Sequence, residues 1–331
     1  MKFIKDNSLF ILTIIISLFG ILMIYSSSFV WAEYKFHNPY KYLVAQLIFF
    51  IIGIFLVLII KKIDYHFYEK HANKILFICM ILLILVLIPG IGKIRNGSRS
   101  WFAIGSFGIQ PSEFSKIGLI IFVSKYLSNN DYYIKDIKKG IFPILGVIFF
   151  FFFLIMLEPD FGQAFVIVLS LILIIFISGT KLSFFIKCFI LGLLGIVSLI
   201  IVAPYRMARI VSYLNPWSDP LGSGFQIIQS LYAIGPGGLL GLGLGNSIQK
   251  HFYLPEPQTD FIFAIISEEF GFLGVLIVTL LFFLIFYKSI KIAMSTKDLF
   301  SKYLVFGLAS QIILQATLNL AVVVGLIPVT G

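Results

Sequence analysis

A chain of 331 residues that is 60% hydrophobic and only 12% charged has too little polar surface to dissolve as a soluble protein. The formal net charge of +10 could suggest a nucleic-acid partner, but Lys and Arg cluster in short segments between apolar runs, the pattern of loops that resist translocation. These features exclude a soluble enzyme and a nucleic-acid binder. They predict an all-α, polytopic membrane protein forming a single domain over residues 1–331.

In chain order, the apolar runs fall at 9–28, 43–60, 75–91, 114–127, 141–157, 164–179, 182–203, 261–287 and 303–324. Most approach the ~20 residues that cross a ~30 Å hydrocarbon core. Each reads as a helix, because an open strand leaves its backbone unpaired in lipid. The prediction is nine transmembrane helices. The first run is long enough to span and has no small-residue cleavage pattern, so it reads as a retained helix. The fourth is short and carries Lys116. Cys79 and Cys188 lie inside apolar runs and read as small buried hydrophobes.

The distribution of Lys and Arg favours a cytoplasmic N-terminus. Lys2, Lys5, Lys61, Lys62, Lys70 and Lys74 begin the inside series, and Lys125, Lys135 and Lys138 continue it. Two loops then dominate the outer face: 92–113, and the long loop 204–260 between helices 7 and 8. They hold most of the basic residues outside, including Arg95, Arg99, Arg206, Arg209 and Lys250. The long loop is too apolar and too rich in Gly and aromatics to be disordered. An amphipathic piece at 225–234 is expected to lie at the interface, followed by a Gly-rich stretch at 235–245.

Several polar residues stand where chemistry or structure needs them. Asp260 opens the eighth run, as either a helix N-cap or a catalytic carboxylate. Glu268 and Glu269 follow roughly 12–13 Å deeper along the helix. Adjacent carboxylates in hydrocarbon mark a site or a paired network. Lys116 can pair within its helix with Glu113, or across helices with Asp160. Asp160 can alternatively cap its own helix with Gln163 three residues on. Arg95, Asn96, Arg99 and Trp101 combine basic and aromatic residues at the outer interface, where Arg suits phosphate and Trp suits anchoring. The glycines form no phosphate loop, because no Gly-Lys-Ser/Thr follows them, and no His/Glu metal pair is present.

Taken together the motifs resemble those of the SEDS family, the FtsW, RodA and SpoVE proteins of bacterial cell-wall synthesis. The resemblance rests on Asn96-Gly97-Ser98-Arg99-Ser100-Trp101, on Gln110 to Lys116, on Glu158-Pro159-Asp160-Phe161-Gly162, and on the stretch from Tyr232 through Asp260 to Glu269. The run Gly241 to Gly245 with Gln249-Lys250 and Tyr253 to Pro257 is most similar to the FtsW/SpoVE branch. Ten spans are usual in the family, so a chain lacking its last helix is expected. Gln258 stands where many relatives have His.

The resemblance implies a glycosyltransferase that polymerises lipid II at the outer membrane face during cell division or sporulation. It places the general base at Asp260, and substrate contacts at Arg95, Arg99, Trp101, Lys250, Glu256, Glu268 and Glu269. The basic outer residues, or a divalent cation such as Mg or Mn, would stabilise the leaving pyrophosphate. The expected partners are lipid II, the growing glycan strand, a class B penicillin-binding protein and other division or sporulation machinery. The expected location is the cell membrane at the septum. The competing readings are a lipid II flippase, with Glu268, Glu269, Asp160 and Lys116 lining a polar path, and a non-catalytic scaffold for a transpeptidase.

Overall fold

The computed structural model describes residues 7–95, 97–104, 107–134, 136–202, 207, 211, 213–222 and 224–328. Lys2, Lys5, Asn96, Lys135, Arg206 and Arg209 lie outside the described residues. All of the expected apolar runs are helical. They form α1 (Ser8–Phe36), α2 (Lys41–Ile60), α3 (His66–Leu87), α4 (Pro111–Asn129), α5 (Phe142–Leu157), α6 (Phe161–Ile177) and α7 (Leu182–Val202). A shorter helix, α8 (Phe225–Gly237), precedes α9 (Ile262–Ser295) and α10 (Leu299–Val323).

Among the described residues, six helices are long and apolar enough to cross a membrane by length and composition, namely α1, α2, α3, α5 with its preceding π-turn, α9 and α10. Phe161–Ile177 and Leu182–Gly195 are shorter apolar helices. The helix α4 falls in neither group. Its low hydropathy has a packing reason: Ser112, Ser115, Lys116, Gly118 and Ser124 are buried by protein, not lipid. A Cβ on Gly118 would sit 2.7 Å from Cys79 Sγ, so small residues let α3 and α4 approach closely. By contrast, no residue of α2 is buried. Its apolar surface needs lipid to cover it.

The described chain forms two compact units. The first comprises Met1–Lys62, Ile196–Lys288 and Gln315–Val329. Met23, Ala233, Leu254, Phe261 and Phe263–Ile266 make its core, with Val278 and Val323. Helix α8 is fastened there by Ser230 Oγ, which donates to the Val323 carbonyl at 2.7 Å.

The second unit comprises Ile63–Gly195 and Ser289–Leu314. Its core runs through α3 to α6, including Leu83, Leu119, Val123, Phe151, Ile167 and Ile174. A Cβ on Gly307 would meet Ile174 and Ile120 at 2.5 and 2.8 Å, so α10 packs tightly on α4 and α6. This unit also holds a feature absent from the sequence reading, a three-stranded antiparallel sheet. Its strands are β1 (Lys93–Arg95), β2 (Ser98–Ile104) and β3 (Phe107–Ile109), in the order β1-β2-β3. Gly97, at φ 82, supplies the left-handed residue of the tight β1–β2 turn.

Candidate active site

In the first unit, candidate site residues gather around a broken helix. Within α9, Gly271 has φ 63 and ψ −161, which interrupts the helical ladder. Such a break exposes backbone groups that cannot stay unpaired away from water. The Gly-rich stretch satisfies them. Leu242 N donates to the Glu268 carbonyl at 2.9 Å and Gly243 N to the Glu269 carbonyl at 3.0 Å. In return, Phe272 N and Leu273 N donate to the carbonyls of Gly238 and Leu239. The approach requires glycine: a Cβ on Gly241, already at φ 79, would lie 2.2 Å from the Glu269 carbonyl oxygen.

The two adjacent carboxylates sit beside this stitch with exposures of 0% and 1%. Glu268 accepts from Ser247 Oγ at 2.5 Å, Ile248 N at 2.8 Å and Gln249 N at 3.4 Å. Glu269 accepts from Lys250 Nζ at 2.8 Å, from Ser26 Oγ of α1 at 2.7 Å to each oxygen, and from Ser247 N at 3.4 Å. Lys250 Nζ also donates to the Gly245 carbonyl at 2.5 Å and lies 4.9 Å from the centre of the Phe29 ring. The structure therefore brings Lys250, Glu268 and Glu269 together in one buried network, and each named bond ends on a protein atom.

Asp260 differs in every respect. It is exposed, lies just before α9, and its carboxylate makes no hydrogen bond or ion pair among the described residues. The bond that would make it a helix cap is absent. Surrounding protein desolvates the group and pushes its pKa above the ordinary carboxylate value. An unpartnered carboxylate with a raised pKa is suited to accepting a proton. The turn before it is strained, with Phe252 at φ 67 and Glu256 at φ 46. Glu256 accepts from Gln258 Nε2 at 2.9 Å, and its carbonyl accepts from Thr259 N at 3.1 Å.

In the second unit, the Arg95 guanidinium lies 5.0 Å from the Trp101 ring centre and across Gly108, where a Cβ would be 2.8 Å from it. Arg99, also on the hairpin, is half-buried. Lys116 Nζ is 2.7 Å from Glu113 Oε2, the intrahelical pairing. Asp160 caps α6, accepting from Gln163 N at 3.1 Å, and accepts from Gln110 Nε2 at 3.0 Å. Gln163 Nε2 donates to Glu113 at 2.5 Å. The charges of Lys116 and Asp160 are thus linked through Glu113 and Gln163; burial raises the Asp160 pKa above the ordinary carboxylate value, and the bonds from Gln163 and Gln110 and the charge of Lys116 offset that rise only in part.

Glu158 was not singled out by sequence reasoning. It is 0% exposed, and neither carboxylate oxygen has a hydrogen-bond partner among the described residues. Burial, reinforced by the charge of Asp160, raises its pKa to about 8. No group of three or more His, Cys, Asp or Glu among the described residues is placed to hold a metal ion.

Fold and site define a polytopic helical membrane protein with a carboxylate-bearing loop before α9. The model of the cell cycle protein family of FtsW, RodA and SpoVE matches residues 6–331, and the chain belongs to that family. It is 49% identical over 326 residues to stage V sporulation protein E of Bacillus subtilis, covering 98% of this chain and 89% of that one. It is 39% identical to the probable peptidoglycan glycosyltransferase FtsW of Trichlorobacter lovleyi, covering 98% and 86%. Among solved structures, a chain from a peptidoglycan synthase complex that coordinates polymerization and crosslinking matches with a TM-score of 0.77 at 26% identity, covering 99% and 90%. The rod shape determining protein RodA of Thermus thermophilus, as a point mutant, shares the fold with a TM-score of 0.70 at 23% identity, covering 99% and 89%.

Proposed function

We propose that this protein is a peptidoglycan glycosyltransferase that polymerises lipid II at the outer face of the cytoplasmic membrane. The observation that carries the reading is Asp260: an exposed carboxylate without a hydrogen bond or ion pair among the described residues, its pKa raised by neighbouring protein, just before α9, in a family that includes proteins named as glycosyltransferases. A sugar hydroxyl is a very weak acid and becomes nucleophilic only as its proton leaves. Asp260 takes that proton while the oxygen attacks the anomeric carbon of the donor. The bond to the polyprenyl pyrophosphate breaks, and its electron pair leaves with the pyrophosphate. This single displacement inverts the anomeric centre.

Arg95 and Arg99 supply guanidinium groups of the kind that recognise phosphate. A divalent cation would serve the same charge, but the described carboxylates do not gather into a site for one. The flippase reading needs Glu268 and Glu269 to line a polar path. Their burial and saturation with protein hydrogen bonds weigh against it. The likeness to a chain of a synthase complex supports a transpeptidase partner of the class B type. The Lys distribution supports a cytoplasmic N-terminus, and the similarity to FtsW and SpoVE relatives supports a place at the septum. The test is direct. Purified protein supplied with labelled lipid II should produce glycan polymer without a second polymerase. Transport of lipid II across proteoliposome membranes with no polymer formed would refute the reading.

A further inference from the structure

Asp260 lies within the segment that runs from Lys250 to Glu269, and a buried ion pair joins those two residues at 2.8 Å with both side chains 0% exposed. The start of the segment is held at successive residues: Ser247, Ile248 and Gln249 donate to Glu268, and Lys250 to Glu269. From α1, Ser26 closes the arrangement by donating to both oxygens of Glu269 at 2.7 Å. Asp260 has no hydrogen bond among the described residues, so the backbone of this segment, with the protein packed around it, sets where its carboxylate stands. That backbone passes through Phe252 and Glu256 in left-handed conformations. Non-glycine residues persist there only when surrounding structure over-determines them.

We infer that Ser26, Lys250, Glu268 and Glu269 form a clasp that positions Asp260, with Ser26 as a positioning residue supplied by a helix remote in sequence. The inference rests on Asp260 being the general base. It replaces substrate contact as the role of Lys250, which is 1% exposed and out of a ligand's reach. Misplacing a catalytic group by about 1 Å can cost about 100-fold in rate. Loosening the clasp therefore lowers turnover and leaves substrate binding alone.

The experiment uses the full chain in detergent and compares wild type with Ser26→Ala and Ser26→Thr, the latter retaining the hydroxyl. In Ser26→Ala, amide hydrogen exchange across 251–261 should quicken about 10- to 100-fold, the factor expected for losing a hydrogen bond to a charged group. With lipid II as substrate, kcat should fall by about tenfold or more with KM unchanged, and Ser26→Thr should recover both readouts. In an Asp260→Asn background, Ser26→Ala should quicken exchange with no further loss of rate. Should Ser26→Ala fail to accumulate, Lys250→Arg, which keeps the charge and alters the geometry, carries the same comparison. Unchanged exchange across 251–261, or a rise in KM in place of the fall in kcat, overturns the clasp. A normal rate in Asp260→Asn alone overturns the assignment of the base on which the clasp depends.

Discussion

Replacing Lys250 by Met tests the buried network through its energetics. The lysine side chain is fully buried, and its Nζ bonds Glu269 at 2.8 Å and the Gly245 carbonyl at 2.5 Å. Met preserves the volume but strands a carboxylate in a site closed to water. Removing one partner of a buried pair costs about 3–5 kcal/mol. Glu269 keeps Ser26 at 2.7 Å and the Ser247 amide at 3.4 Å, which places the expected loss near the lower end, about 3 kcal/mol. Removing both charges together, as in Lys250→Met with Glu269→Gln, strands no carboxylate that the lysine had paired and should recover most of that loss. Thermal unfolding followed with a thiol-reactive dye provides the assay, because Cys79 is buried in the native protein. A single variant that unfolds at the wild-type temperature, or a double variant no more stable than the single one, would refute the reasoning.

Three further outcomes follow from the geometry. Gly241→Ala should sharply reduce folded protein, since its Cβ would lie 2.2 Å from a carbonyl oxygen at φ 79, whereas Gly53→Ala, with nothing within 4 Å, should be tolerated; expression-normalised gel filtration compares them. Glu158 binds its proton more tightly in the folded state, so the stability it contributes is fully present below pH 4.5 and is lost as pH rises through about 8; melting temperatures should fall across that window, and Glu158→Gln should flatten the fall. A cysteine replacing the exposed Ile248 should react with an impermeant thiol reagent in whole cells, and one replacing the exposed Asn129 should not; the reverse pattern would invert the topology.

Much of the fold was legible because lipid imposes a simple rule: each long apolar run must close its own hydrogen bonds, and each became a helix. The helix α4 shows the limit of the rule. Protein buries it, so its Ser, Gly and Lys residues weaken the signal that length and hydropathy carry. The sheet at 93–109 was illegible because its strands are short and pair locally through a glycine turn within a loop. Glu268 and Glu269 announced a buried site by their cost in hydrocarbon, but their partners could not be read. Ser26 is 243 positions away, and nothing distinguishes it from neighbouring serines until α1 is packed. The glycines at 235–245 were legible only as a Gly-rich stretch, and the break at Gly271 supplied what they pack against. For Asp260 the sequence left cap and catalyst open, and the structure removed the capping bond.

The central claim is that Asp260 takes the proton from the acceptor hydroxyl, and Asp260→Asn tests it most directly. Asn keeps the shape of the side chain and removes its basicity. Because Asp260 makes no hydrogen bond among the described residues, the exchange breaks no contact of the fold. The variant should therefore melt as wild type does and bind lipid II with similar affinity, while the rate of glycan polymerisation falls by about 10²–10⁴-fold, the usual contribution of a general base. A variant that is folded, binds lipid II and polymerises it at the wild-type rate would contradict the account.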